Sequence, residues 1–293
     1  MVKNLFGKDI LLHSSNPTLI EYGDHYLLNL RWINYEYHED GSKKIIPSQW
    51  ISLNSRCILN ERFQPITEEH FLEEDFEKES NRSMVGIEDL RIFKHEGHYS
   101  YLATCVDPVR KVVSVSSHDY PIDSIYVLNR NLITPTFYDA SIQRVEKNWT
   151  FVLYRDKCSV VYAWYPLQLC VIENQSLHLL LSKPMPKFFK DARGSTSGFQ
   201  QGNEIWFILH KSQSMTLYGI LYHVYQHFFA VFDLEMNLIR YSEVFKFGGK
   251  PVEFCTSFVM KEDKFVIAYS LLDTQPMISV YDSSEIKKLT WYI

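Results

Sequence analysis

The chain has 293 residues, a formal net charge of −5, 46% apolar and 22% charged residues, a balance that excludes disorder, collagen and coiled coil and leaves room for a large core. The acidic balance also excludes the basic field of a nucleic-acid or membrane-surface binder, so neither partner is expected. Aromatic residues are abundant, at 19 Tyr, 19 Phe and 6 Trp; they favour strands, and the faces of Tyr and Trp suit stacking against sugars.

At the N-terminus, residues 1–15 offer only the apolar run Ile10-Leu11-Leu12, short of the roughly 7–15 residues a signal peptide needs. No run approaches the ~18–20 apolar residues of a membrane helix. Cys57, Cys105, Cys158, Cys170 and Cys255 are scattered, odd in number and without a CxxC pair, which fits reduced thiols better than a disulfide framework or zinc site. A cytoplasmic location is the expectation, and the sequons at Asn81, Asn148 and Asn174 read as chance matches.

One pattern recurs five times along the chain, starting at Asn16-Pro17, Glu88-Asp89, Lys147-Asn148, Arg193-Gly194 and Glu253-Phe254. Each copy is a polar dyad, an alternating run, a turn, and a second run rich in Tyr, Phe or Val. The turns fall at Gly23-Asp24, Glu96-Gly97, Arg155-Asp156-Lys157, Gln201-Gly202-Asn203 and Glu262-Asp263, where Gly, Asp and Asn supply the positive φ of tight hairpins. Further strands are predicted near 112–116, 124–128, 170–173 and 228–233. Helical pattern is scarce. An insertion at about 60–84 contains the acidic stretch 67–79, with seven carboxylates against one Lys, and is expected to form a solvated short helix or loop. The whole, residues 1–293, is predicted to be all-β, a single five-bladed β-propeller. A β-sandwich, the rival, gives no reason for five similar hairpins.

In a propeller, the start of each innermost strand and the end of the next share one face. That rule gathers Asn16, Glu88, Asp89, Lys147, Asn148, Arg193 and Glu253 around one mouth, and the second-strand ends add Arg31, Asn34, Tyr35, Asp107, Tyr162, His210, Lys211 and Asp273. For any one of them the plainer reading is a plug of ion pairs closing the axis. Together, so many charges in a small area need each other or a polar ligand. Paired carboxylates suit glycosidic chemistry, and Arg and Lys beside them suit a phosphate group. Tyr35, Trp149, Tyr162 and Trp164 are candidate stacking faces. The histidines show no HxH or HExxH spacing, so His223 and His227 read as structural. No Walker or GxGxxG loop occurs, and neither metal nor cofactor is expected.

Gly86-Ile87-Glu88-Asp89-Leu90-Arg91 resembles the G-x-E-D-P-R motif of glycoside hydrolase family 130, the β-mannoside phosphorylases and related hydrolases, which are five-bladed propellers with a central site. The Asn-Pro opening, Glu146-Lys147-Asn148-Trp149, Arg193-Gly194-Ser195 and Glu253-Phe254…Tyr269…Asp273 keep the order of a divergent branch from about residue 14 to 282. The resemblance implies Asp89 as general acid, Glu88 as a sugar-hydroxyl ligand and Arg91 as a brace for the motif. By position, Lys147, Arg193, His210 and Lys211 are the phosphate-holding candidates. Asn16, Arg31, Asn34, Glu88, Asp107, Asn148, Tyr162, Glu253 and Asp273 are the candidates for holding an oligosaccharide or sugar phosphate. Leu90 stands where the family has Pro. The implied activity is inverting phosphorolysis or hydrolysis of a β-linked, mannose-containing glycan, with inorganic phosphate as a partner in the former. Transfer from a sugar phosphate or nucleotide sugar on the same scaffold, and glycan binding without catalysis, are the alternatives.

Overall fold

The computed structural model describes residues 1–45, 47–72, 84–106, 113–122, 131–137 and 145–293. Described secondary structure is almost entirely strand, with one helical turn at Ser283–Ile286 and a 3-10 turn at Lys187–Phe189. No helix among the described residues is long and apolar enough to cross a membrane.

Five antiparallel runs follow one another, and all five hairpin turns fall where the turn residues place them. The first pairs His13–Tyr22, His25–Ile33 and Trp50–Leu59 in order; the second pairs Glu88–His95, His98–Val106, Val113–Asp119 and Asn131–Pro135. The third is Thr150–Tyr154, Lys157–Trp164, Leu167–Glu173 and Ser176–Lys183. A short parallel pairing, Thr134 to Ser176 and Pro135 to Leu177, joins the second and third into one eight-stranded sheet. In the fourth, Ala192–Gly194 and Phe199–Gln201 both pair with Glu204–Leu217, followed by Ile220–Asp233 and Leu238–Ser242. The fifth is Glu253–Lys261, Lys264–Leu271 and Gln275–Asp282. The C-terminal strand Trp291–Tyr292 returns to the fourth run beside Leu238–Ser242.

Strand alternation explains how the aromatics are spent. Ile205, Phe207 and Leu209 pack towards the third run with Trp164 and Leu169, while Trp206 and Ile208 on the same strand pack towards the fifth with Phe258 and Phe265. Equivalent clusters join the first run to the second, the second to the third, and the fifth back to the first through Val259, Val266, Leu19 and Tyr26. The core is thus a set of wedges between consecutive sheets, closed into a ring. All five cysteines are free thiols.

Only part of the acidic insertion is described. Residues 67–72 contain the strand His70–Phe71, bonded to Ser55 and Arg56, and no helix; residues 73–79 lie outside the described residues. His70 and Phe71 extend the neighbouring ladder, which satisfies backbone groups that a solvated helix would otherwise have to satisfy within itself. The predicted strand near 124–128 also lies outside them, and the one near 112–116 is described from Val113.

Candidate functional site

The starts of the first strands converge on a cavity of about 370 Å³. Asn16, Glu88, Asp89, Lys147, Asn148 and Arg193 line it from the strand starts, and Arg31, Tyr35, His210 and Asp273 from the following strand ends. Ordinary alternation lets only one member of a dyad face a given side. Glu88 and Asp89 both do so because the ladder slips between Glu88 and Arg91, and Asp89 takes a left-handed φ of 52°. Gly86 anchors this bulge. Its φ is +84°, and a Cβ there would stand 1.8 Å from the Ser52 carbonyl oxygen, so only glycine allows the parallel contact of Met84–Gly86 with Trp50–Leu59.

One wall is acidic and built around Arg31. Its Nη2 donates to Glu88 Oε1 at 2.6 Å, Nη1 to Asp89 Oδ1 at 3.0 Å, and Nε to Ser52 Oγ at 2.8 Å. Asn16 Nδ2 donates to the same Asp89 oxygen at 2.8 Å and is itself oriented by the Ser270 hydroxyl. Asp89 Oδ2 has no partner among the described residues. Tyr35 donates its hydroxyl to Asp273 Oδ2 at 3.0 Å. Burial raises Glu88 above the usual carboxylate range, with Arg31 opposing and Asp89 adding to the rise. Burial likewise pushes Asp273 up to about 6, against the pull of Arg31. Beneath the motif Arg91 is fully buried, its guanidinium bonded to the Ser195 and Gly194 carbonyls, to Asn148 Oδ1 and to its own Asp89 carbonyl. It ties the second run to the third and fourth.

The raised groups set a pH dependence. Between the ordinary Asp value of 3.8 and about 6 the folded state keeps a proton on Asp273 that the unfolded chain has released, so this group's contribution to unfolding free energy falls as pH rises through that window. Asp273→Asn cannot titrate. Its stability relative to wild type is expected to rise by up to about 3 kcal/mol between pH 4 and pH 7.5, at ~1.4 kcal/mol per pH unit. Urea unfolding of both proteins at the two pH values checks it, and a constant difference refutes it.

The third and fourth runs bring basic groups to the cavity. Lys147 and Arg193 line it without a carboxylate partner among the described residues. His210 is buried, with Nδ1 2.8 Å from Ser195 Oγ; burial, aided by His227, Arg91, Arg193 and Lys147, holds it well below the usual imidazole value. It is therefore a neutral hydrogen-bonding group at pH 7.

Several candidates are not brought into the cavity. Lys211 points the other way from His210, its Nζ 3.6 Å over the Phe188 ring, as strand alternation requires. Glu253 turns back to accept the backbone N–H groups of Phe247, Gly248 and Lys250 at 2.6, 2.9 and 2.8 Å; its neighbour Phe254 faces the cavity instead. Asn34 is spent on the Gln49 carbonyl and the Ile51 N–H. Tyr162 bonds Glu146 and packs on Trp149. Trp149 and Trp164 are core residues, and Gly194 leaves no open space, since a Cβ there would lie 2.4 Å from Thr150 Cγ2. Asp107 lies outside the described residues.

The aromatic lining comes from elsewhere. Tyr35 is joined by Tyr37, Trp50, Tyr225 and His223, and Lys43 Nζ sits 3.9 Å over the Trp50 ring. Tyr37 and Lys43 belong to a small hairpin, Glu36–Tyr37 with Lys43–Ile45, inserted between strands of the first run. His223 and Tyr225 belong to the overlong third strand of the fourth run. Neither position is in register with the repeat, which is why the repeat did not reveal them.

No family model matches the chain, and no curated protein matches it. Solved structures do. A glycosyl hydrolase from Bacteroides ovatus aligns over 94% of this chain and 85% of its own, with TM-score 0.64 and 13% identity. The β-1,2-mannobiose phosphorylase of Listeria innocua, solved with β-1,2-mannobiose, aligns over 98% and 95%, with TM-score 0.60 and 12% identity. MPT-1, a GDP-Man-dependent mannosyltransferase from Leishmania mexicana, aligns over 92% and 85%, with TM-score 0.58 and 14% identity. The GH130 family of mannoside phosphorylases is represented among the matches. At these identities the likeness is one of fold.

Proposed function

We propose that the five runs are the blades of a five-bladed β-propeller, and that the cavity at their converging strand starts is the substrate site of a carbohydrate-active enzyme working on a β-linked, mannose-containing glycan. The observation that carries this reading is the make-up of the cavity: three carboxylates near Arg31, and Lys147 and Arg193 without a salt-bridged carboxylate among the described residues. A sugar offers hydroxyls to the carboxylates and a phosphate group offers oxygens to the cations. In the forward reaction Asp89 gives a proton to the leaving glycosidic oxygen, directly or through a sugar hydroxyl at Oδ2. A phosphate oxygen held by Arg193 and Lys147 attacks the anomeric carbon from the opposite face, inverting it. Neutral His210 donates or accepts one hydrogen bond without adding charge. Tyr35, Tyr37 and Trp50 supply ring faces for the sugar.

The same cations favour a second reading, transfer from a sugar phosphate or nucleotide sugar, since both donors carry phosphate. Incubating purified protein and acceptor sugars with sugar 1-phosphates or with nucleotide sugars separates the two. Phosphate release from the former alone selects the phosphorylase, nucleotide release from the latter alone selects the transferase, and silence throughout favours a glycan-binding role. Arg193→Ala is expected to weaken phosphate binding about tenfold or more, the worth of a charge-assisted hydrogen bond. Calorimetric titration with phosphate checks this, and unchanged affinity removes Arg193 from the anion site.

A further inference from the structure

The small inserted hairpin forms a strap from the first run to the fourth. Its two strands, Glu36–Tyr37 and Lys43–Ile45, pair with each other, and its backbone is held at both ends. At the base, Glu36 meets His13 at 2.9 Å and Lys44 at 2.7 Å. At the tip, Asp40 Oδ1 accepts from the Ser42 N–H and hydroxyl at 2.9 and 2.7 Å. Ser42 then bridges to Tyr222, and the His223 N–H donates to the Gly41 carbonyl at 3.2 Å. Glu39 pairs with Lys250, just before the fifth run. The strap thereby presents Tyr37 and Lys43 to the cavity, beside Tyr35 and Trp50.

Lys43 competes with the sugar for the rings. Its ammonium lies 3.9 Å from the centroid of Trp50 and 5.8 Å from those of Tyr35 and Tyr37, the three rings assigned to the sugar, and a sugar cannot stack on a face that an ammonium covers. No carboxylate pairs with Lys43 among the described residues. Burial lowers its pKa from the usual lysine value; Asp273 and Glu88 oppose the fall and Lys147 adds to it. Lys147 links the cations of the cavity. Besides burial, Lys43 and Lys147 both depress His223. Besides burial, His227 and Arg91, Arg193 and Lys147 both depress His210. The unpaired cations therefore follow one another as Lys43, Lys147 and Arg193. With no anion beside it, the best partner of Lys43 is a ring face, a weaker contact than a charge-assisted hydrogen bond. An anion held by Lys147 and Arg193 supplies the stronger partner.

We propose that Lys43 couples the two ligands of this cavity: a phosphate anion draws its side chain off Trp50 and so uncovers the ring face on which the sugar stacks. The inference rests on the assignment of sugar and phosphate to this cavity. It makes Lys43 a positioning residue, through which each ligand strengthens the other by the same factor. The test is ligand-observed NMR titration of the full chain with mannose, which has no glycosidic bond to cleave, with and without phosphate at constant ionic strength. Wild type is expected to bind mannose about fivefold tighter when phosphate is present, the worth of one cation–π contact. Lys43→Ala is expected to bind mannose without phosphate as tightly as wild type does with it, and to lose the coupling. A merely structural lysine would instead leave mannose binding weaker in the variant. Should Lys43→Ala fail to fold, Lys43→Gln, which keeps most of the stem without the charge, is expected to cut the coupling to about twofold or less. If wild type binds both ligands and neither alters the affinity for the other, or if the variant keeps the wild-type coupling, this inference falls and the proposed function stands. Wild type that binds only one of them, or neither, overturns the proposed function and this inference with it.

Discussion

Asp89→Asn is expected to lower turnover by about 10²–10⁴-fold, the usual contribution of general acid catalysis, with little change in melting temperature. The substitution is close to isosteric, and an amide oxygen can still accept from Arg31 Nη1 and Asn16 Nδ2, which both meet Oδ1. Asn also tolerates the left-handed backbone that Asp89 adopts at φ 52°, where most other side chains cost about 1–2 kcal/mol. Asp89→Ala would confound strain with chemistry; Asp89→Asn does not. Arg31 keeps Glu88 as its charged partner at 2.6 Å in the mutant. Activity on whichever donor the screen identifies, beside a thermal melt, reads the result. A stable and fully active mutant removes Asp89 from catalysis. A loss of roughly 3–5 kcal/mol in stability, the cost of breaking a buried pair, makes the Arg31–Asp89 contact a plug of the axis.

Much of the fold was legible because hairpins announce themselves locally. Glu96-Gly97 and Arg155-Asp156 put positive φ between two alternating runs, and that signal needs no tertiary context. The dyads were legible for the same reason, as polar residues where a buried strand start should be apolar. What failed was direction. His210 and Lys211 are adjacent in sequence yet face opposite sides, and nothing local says which enters the cavity. Glu253 fits the dyad rule but spends its carboxylate on three backbone N–H groups of the loop before it, a contact set by how that loop folds back. Trp149 and Trp164 looked like sugar platforms by composition and are instead wedge fillers between sheets. Lys43 and Trp50 were invisible because an insertion carries Lys43 and a third strand carries Trp50, outside the repeated dyad and hairpin.

Arg31→Met is expected to be the most destabilising single change in the cavity, at about 3–5 kcal/mol near neutral pH. Arg31 is buried, and its fork meets both Glu88 and Asp89 while its charge also favours the ionisation of Asp273. Methionine keeps the stem only to about the position of Nε and none of the donors, so Glu88 and Asp89 would lose the buried cation that pairs them. Those carboxylates have an escape that a packing defect lacks: they can take up protons. The stability gap between wild type and Arg31→Met is therefore expected to narrow as pH falls from 7.5 to 4.5, because protonation removes the uncompensated charge in the mutant while wild type loses the pairing it had. Arg31→Lys separates charge from geometry. It keeps the cation but cannot reach Glu88, Asp89 and Ser52 at once as the planar guanidinium does, so it is expected to recover part of the stability and little of the activity. Urea unfolding of all three proteins across that pH range supplies the measurement. A gap that is constant with pH would mean that Arg31 stabilises the wall through packing of its stem, and the acidic wall would then lose its electrostatic account.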